Sequence, residues 1–165
     1  MKFKALIAVV ILSLATAARV HSFGVGAQLN FSTGELFAPG LALTISPSSM
    51  THLAINWFLD FDKVNTIGLT FDIVPLNLPV TSFGAGTFNF TLGAGLFTNV
   101  VLTGDIGINA GLRVPIGFNV LLVHKTLEIY THVAPSFGVH FLPDLSLSSK
   151  PSFPIALGAR FWLLR

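Results

Sequence analysis

Seven side chains carry most of the reactive chemistry the chain can offer: His52, Asp60, Asp72, Arg113, Glu128, His132 and Arg160. Carboxylates beside histidines are the raw material of acid–base hydrolysis, and carboxylates beside arginines form bidentate ion pairs. A hydrolase further needs a nucleophile or a water-activating carboxylate pair held against a histidine. Asp60 and Asp62 fall at one hairpin, and His140 and Asp144 in another loop, but nothing in their spacing fixes them together. The sequence therefore favours a structural network of ion pairs over a catalytic centre, and no catalytic residue is assigned.

Other motifs are equally spare. Gly84-Ala85-Gly86 and Gly93-Ala94-Gly95 lack the following helix that a phosphate loop needs, and read as strand glycines. The sequons at Asn30 and Asn89 lie on strand-like segments. The five histidines are scattered; His132 and His140, eight apart, do not have metal-ligand spacing. No cofactor and no metal are expected.

The seven residues share a parity. From 105 to 120 the chain alternates without a miss: Ile106, Ile108, Ala110, Leu112, Val114, Ile116, Phe118 and Val120 are apolar, and glycine, amide, charge or proline lies between. Successive side chains of a strand point to opposite faces, so this run is a two-faced strand. Seven further runs alternate likewise, at 23–32, 41–46, 52–61, 66–73, 88–96, 127–134 and 155–163. All seven reactive residues fall on the polar face. A large apolar face opposite small and charged residues is the pattern of a barrel with lipid outside and a polar interior. The fold expected is all-β, an eight-stranded antiparallel up-and-down transmembrane barrel, whose lumen is just wide enough for side chains.

Eight strands and their turns account for residues 23–165, leaving nothing for a second domain, a plug or a soluble tail. The segments 47–49, 62–65 and 124–126 read as short turns, and 140–152 as the longest loop. The stretch 75–82 is too long for the short turn expected between the fourth and fifth strands. Pro115 and Pro135, which cannot donate to a ladder, predict a β-bulge or a rim position.

Composition agrees. Charged residues are 10% of the chain, against about 25% in soluble domains, while 52% are hydrophobic. The start is distinct: Lys2 and Lys4 precede an apolar run over 5–14 and the small residues Ala15, Thr16 and Ala17, the pattern of a secretory signal peptide. Residues 1–22 are expected to be that signal, cleaved after 17 or 22. Removal to Ser22 takes three of nine basic residues and leaves six against seven acidic ones, a net of −1. No basic stripe remains for nucleic acid. With no cysteine, disulfide and thiol chemistry are excluded.

Three stretches, 107–117 (GINAGLRVPIG), 127–135 (LEIYTHVAP) and 156–162 (ALGARFW), resemble the small spirochaete-type outer-membrane barrels with an OmpA/OmpX-like fold. In that family a G-x-R-x-P-x-G strand precedes one ending E-x-A-P, and the last strand reads G-x-G-x-R-aromatic. His132 stands where the family has an acidic residue. The resemblance implies an eight-stranded outer-membrane barrel, surface exposure, and host-factor binding as in some members.

The function expected is non-enzymatic, structural or adhesin-like. Outer-membrane lipid surrounds a monomer, and an extracellular protein ligand would meet the loops. The alternative is a barrel that binds or transports a small apolar molecule; a lipocalin, however, turns its apolar face inward. A diffusion pore needs about 16 strands. Inside, Glu128 should pair with an inward arginine, Arg160, itself level with Tyr130 and His132, while Arg113 should lie near Asn89 and Thr91. On the apolar face, Leu112→Arg should cost about 2–4 kcal/mol at the bilayer midplane. Gly111→Ser on the other face should be mild, and an unfolding titration of both variants checks which face is outside.

Overall fold

The computed structural model describes residues 22–32, 36–59, 65–102, 106–142, 145–148 and 150–164. The expected signal segment up to residue 21, and Asp60, Asp62, Asp105 and Asp144, lie outside them. Every element described is a strand: β1 (Phe23–Phe31), β2 (Gly40–Ser48), β3 (Thr51–Leu59), β4 (Asn65–Phe83), β5 (Gly86–Val101), β6 (Gly107–Arg113), β7 (Ile116–Leu122), β8 (Leu127–Val133), β9 (Ser136–Leu142), β10 (Ser146–Leu147) and β11 (Ile155–Leu164). β6 with β7, and β8 with β9, are single staves interrupted once each. With β1 to β5 and β11 they make an eight-stave antiparallel barrel, closed by β5, which pairs β4 on one side and β6 and β7 on the other.

The alternation decides which side faces in. Among the described strand residues only Asp72, Arg113, Glu128 and Arg160 are formally charged, and all four are buried. Outward positions such as Leu43, Leu112, Phe137, Phe161 and Leu163 are exposed to more than half of their surface. On the outward face Phe118 stacks on Phe88, with ring centroids 5.2 Å apart, and meets Phe90 edge to face at 5.6 Å. An uncharged apolar belt around a charged lumen is a transmembrane barrel's surface.

Two expectations about connections are corrected. The stretch 75–82 is no turn: β4 runs on to Phe83 and meets β5 through Gly84 and Ala85, with irregularities between Ile73 and Leu76 and between Pro79 and Thr81. On its other side β3 begins only at Thr51, opposite Ile73, so residues 75–83 have no strand partner there among the described residues. Pro75 and Pro79 suit such an edge, because proline has no ladder donor to lose. The loop expected from 140 likewise begins later, because β9 continues to Leu142 and β10 pairs with it.

The prolines interrupt the sheet, as expected, but with no bulge and far from a rim. Arg113 pairs with Ser136 and Ile116 with Val133, so the register is the same on both sides of the break. Pro115 has a seven-residue strand on each side. What is lost is one bond of three successive close pairs. Gly93 N donates to Pro115 O at 2.9 Å, Val114 N to Pro135 O at 3.0 Å and Ala134 N to Pro154 O at 2.8 Å, while each proline returns nothing. Beginning at the β4 irregularity beside Gly93, these pairs trace a seam across the wall.

The lumen is not free of a plug. Leu36 and Phe37, between β1 and β2, fold into the mouth against Phe58 and Phe97 and form the buried apolar cluster there. Phe37 lies 5.8 Å from Phe58 and 4.7 Å from Phe97 between ring centroids. Asn99 Nδ2 donates to Leu36 O at 2.7 Å, and Leu36 N to Ser152 Oγ at 3.2 Å, which ties this cap to the connection before β11.

The mildness expected of Gly111→Ser is overturned too. A Cβ there would press into the carbonyl of Phe137 and within 2.6 Å of Gly138 Cα, because β6 and β9 approach at two facing glycines. Gly107 has room: its nearest neighbour would be Val101 Cβ at 3.4 Å. Leu112→Arg is therefore best compared with Gly107→Ala. In an unfolding titration the first should lose about 2–4 kcal/mol, Gly111→Ser about 1–3 kcal/mol, and Gly107→Ala well under 1 kcal/mol.

Candidate functional site

Antiparallel pairing with alternating side chains drives polar residues of neighbouring staves together in the lumen. β8 and β11 pair Glu128 directly with Arg160, two residues from the level expected; Tyr130 instead faces Gly158. The glycine is needed, since a Cβ at 158 would lie 2.5 Å from the Tyr130 ring.

Glu128 is the hub. Its Oε2 accepts from Arg160 Nη1 at 3.0 Å and from Trp162 Nε1 at 2.8 Å, and its Oε1 from Asn119 Nδ2 at 2.8 Å. Asn89 Nδ2 donates to Asn119 Oδ1 at 2.6 Å and carries the chain to β5. The Arg160 guanidinium lies 4.6 Å above the Tyr130 ring centroid and 5.5 Å from that of Trp162, a geometry in which ring quadrupoles favour the cation. From Tyr130 a second chain crosses the lumen: its hydroxyl donates to Gln28 at 2.9 Å, Gln28 to Asn30 at 2.8 Å, and Asn30 to Asn56 at 2.9 Å.

The second ion pair is Asp72 with Arg113. Arg113 faces Gly95, not Asn89 or Thr91, because the β5–β6 connection sets Val101 opposite Gly107. A Cβ at Gly95 would collide with the Asp72 carboxylate, so that glycine leaves the pair its space. Arg113 Nε lies 3.2 Å from Asp72 Oδ1, an ion pair by distance without hydrogen-bond alignment. Arg113 Nη2 donates to His132 Nε2 at 3.0 Å, which requires the ring proton on Nδ1. The arginine thus finds its counter-ion on β4, and a neutral histidine is enough at 132. His52, opposite Asp72 across β3 and β4, has its Nδ1 2.8 Å from Ser46 Oγ.

Six of the seven sequence-expected residues therefore line one lumen, and Asp60 lies outside the described residues. His140, read above as a loop residue, sits on β9 with Nδ1 2.6 Å from Asn109 Oδ1. Sequence reasoning left out Trp162, Asn119, Asn89 and Gln28 as members, although all share the inward parity. Among the described residues no group of three His, Cys, Asp or Glu could hold a metal ion. The cavity beside the ion pairs is about 50 Å³, room for ordered water rather than a substrate.

No protein-family profile matches the chain, and no curated protein matches it in sequence. Among solved structures it is similar to the N-terminal β-barrel domain of Pseudomonas aeruginosa OprF, with TM-score 0.51 and 12% identity over 87% of this chain and 98% of that one. Ail, the attachment invasion locus protein of Yersinia pestis, aligns at TM-score 0.27 and 11% identity over 86% of this chain and 97% of that one, and carries no weight at that score. The OprF likeness shows a shared barrel fold and does not reach a spirochaete-type family.

Both partners of the hub pair have side chains about 5% exposed or less. Breaking such a pair leaves a buried charge alone. Glu128→Gln and Arg160→Met should each destabilise by about 3–5 kcal/mol, and the double variant should recover part of the loss. Urea unfolding of the four proteins measures the coupling; simple additivity would show that the two residues are not partners.

Proposed function

We propose that this chain is an exported, non-enzymatic outer-membrane barrel, monomeric, with a structural or surface-interaction role. The observation that carries it is the separation of faces: every charged residue of the described strands turns into a filled lumen, and the outward girdle is apolar. Such a surface is stable against lipid and would aggregate in water. The signal-like start at residues 1–22 supports export.

The lumen argues against transport through it. Two ion pairs and an amide chain line its wall, a second amide chain crosses it from Tyr130 to Asn56, and Leu36 and Phe37 close the mouth opposite the hairpin turns. Nor has a cavity of about 50 Å³ room for a small apolar cargo. What is left for recognition is the loop end, where an extracellular protein such as a host factor would bind, as the spirochaete-type motifs imply. No nucleic acid is expected among its partners.

Cell fractionation with gel mobility before and after boiling tests the reading. The protein should sediment with outer membranes and migrate faster unheated than heated, because a closed barrel resists detergent. Recovery wholly in the soluble periplasmic fraction would overturn it.

A further inference from the structure

The turn end of the barrel is uneven. The wall on the β2–β3 side stops at the Ser49-Met50 turn, while β4 continues to Phe83 and β5 begins only at Gly86. Below the short wall lies a recess of about 340 Å³, within the size range of small-molecule sites. Its roof is Ser49 and Met50, its side the free edge of β4 with Pro75, Asn77 and Pro79, and its back Asn89, Leu121 and Lys125.

Three features define what fits. Lys125 is the one charged residue of the described lining, and no carboxylate shares it. Lys125 is also held there by an unusual backbone: Val123, His124 and Lys125 have φ of 49°, 54° and 70°, three consecutive left-handed residues without a glycine. Such strain is retained only where the surroundings impose it. Finally, the open side is the edge of β4 that has no strand partner among the described residues. Its prolines deny a docking strand its donors, so the edge repels a peptide while offering apolar rings.

We infer that this recess binds the headgroup and upper acyl segment of an anionic phospholipid, entering sideways under the β2–β3 turn. Lys125 meets the phosphate, Asn77 and Ser49 offer hydrogen bonds, and Met50, Val74, Pro75 and Leu121 cover the start of the chains. A free anion would gain little from one exposed lysine in water; a membrane lipid adds apolar contact and is already beside the opening. The inference rests on the membrane reading above.

The test is native mass spectrometry of the barrel folded into vesicles of phosphatidylglycerol and phosphatidylcholine and then extracted in mild detergent. Phosphatidylglycerol should be retained about fivefold over phosphatidylcholine, the preference that one lysine gives at an anionic surface. Lys125→Glu should abolish the preference, Asn77→Trp should empty the recess without changing charge, and Lys150→Glu at the loop end should change nothing. Heat-modifiable mobility shows that each variant is folded. Equal retention of the two lipids, retention by Lys125→Glu, or displacement by millimolar inorganic phosphate would overturn the site. A chain that inserts into neither vesicle overturns the membrane reading itself; one that inserts without preference overturns the lipid site alone.

Discussion

A sheet in hydrocarbon has to close on itself, because any edge left there strands donors and acceptors that water cannot satisfy. Closure through eight staves fixes nearly everything else in this protein. A path along the pairs from Phe71 through Leu53, Ile45, Val25, Phe161, Leu127, Leu122 and Gly86 returns to β4 at Phe83, twelve residues further on. The staves must therefore be staggered and tilted, and β4 must be long enough to meet both neighbours. Its unpaired stretch is the residue of that stagger, left where β3 is already finished.

The same closure sets the interior. An eight-stave lumen has room for side chains and little more, so some large inward residues have a glycine facing or beside them. Tyr130 opposite Gly158 and Asp72 beside Gly95 are two solutions of one volume problem. Polar groups confined at that density bond one another, and Glu128 accepts from Arg160, Trp162 and Asn119 at once. The bonds join β7, β8 and β11, so the lumen braces the wall that encloses it.

Period-two alternation made the fold and its two faces legible, because one face needs lipid and the other cannot tolerate it. The inward parity of Glu128, Arg160, Asp72 and Arg113 was equally plain. Glu128 and Arg160, expected as partners, do pair, though their level was off by two residues, whereas Arg113, expected beside Asn89 and Thr91, faces Gly95 because pairing depends on turn length. The stretch 75–82 misled for a definite reason, since proline reads as a turn former unless the strand has an edge to hide it. Leu36 and Phe37 gave no signal at all, because a loop that folds inward has no repeating face. The mouth of the lumen was thus the least legible part of the molecule.

The proline seam has a mechanical consequence. In a cylinder of evenly bonded staves each close pair across the wall is held by two hydrogen bonds, but this one has a row in which three neighbouring pairs hold by a single bond each. Bending about that row costs fewer hydrogen bonds than bending about any parallel one in the same wall. The easiest deformation of this wall therefore runs along one diagonal, with the continuous β5 at its side. The barrel has, in effect, a grain.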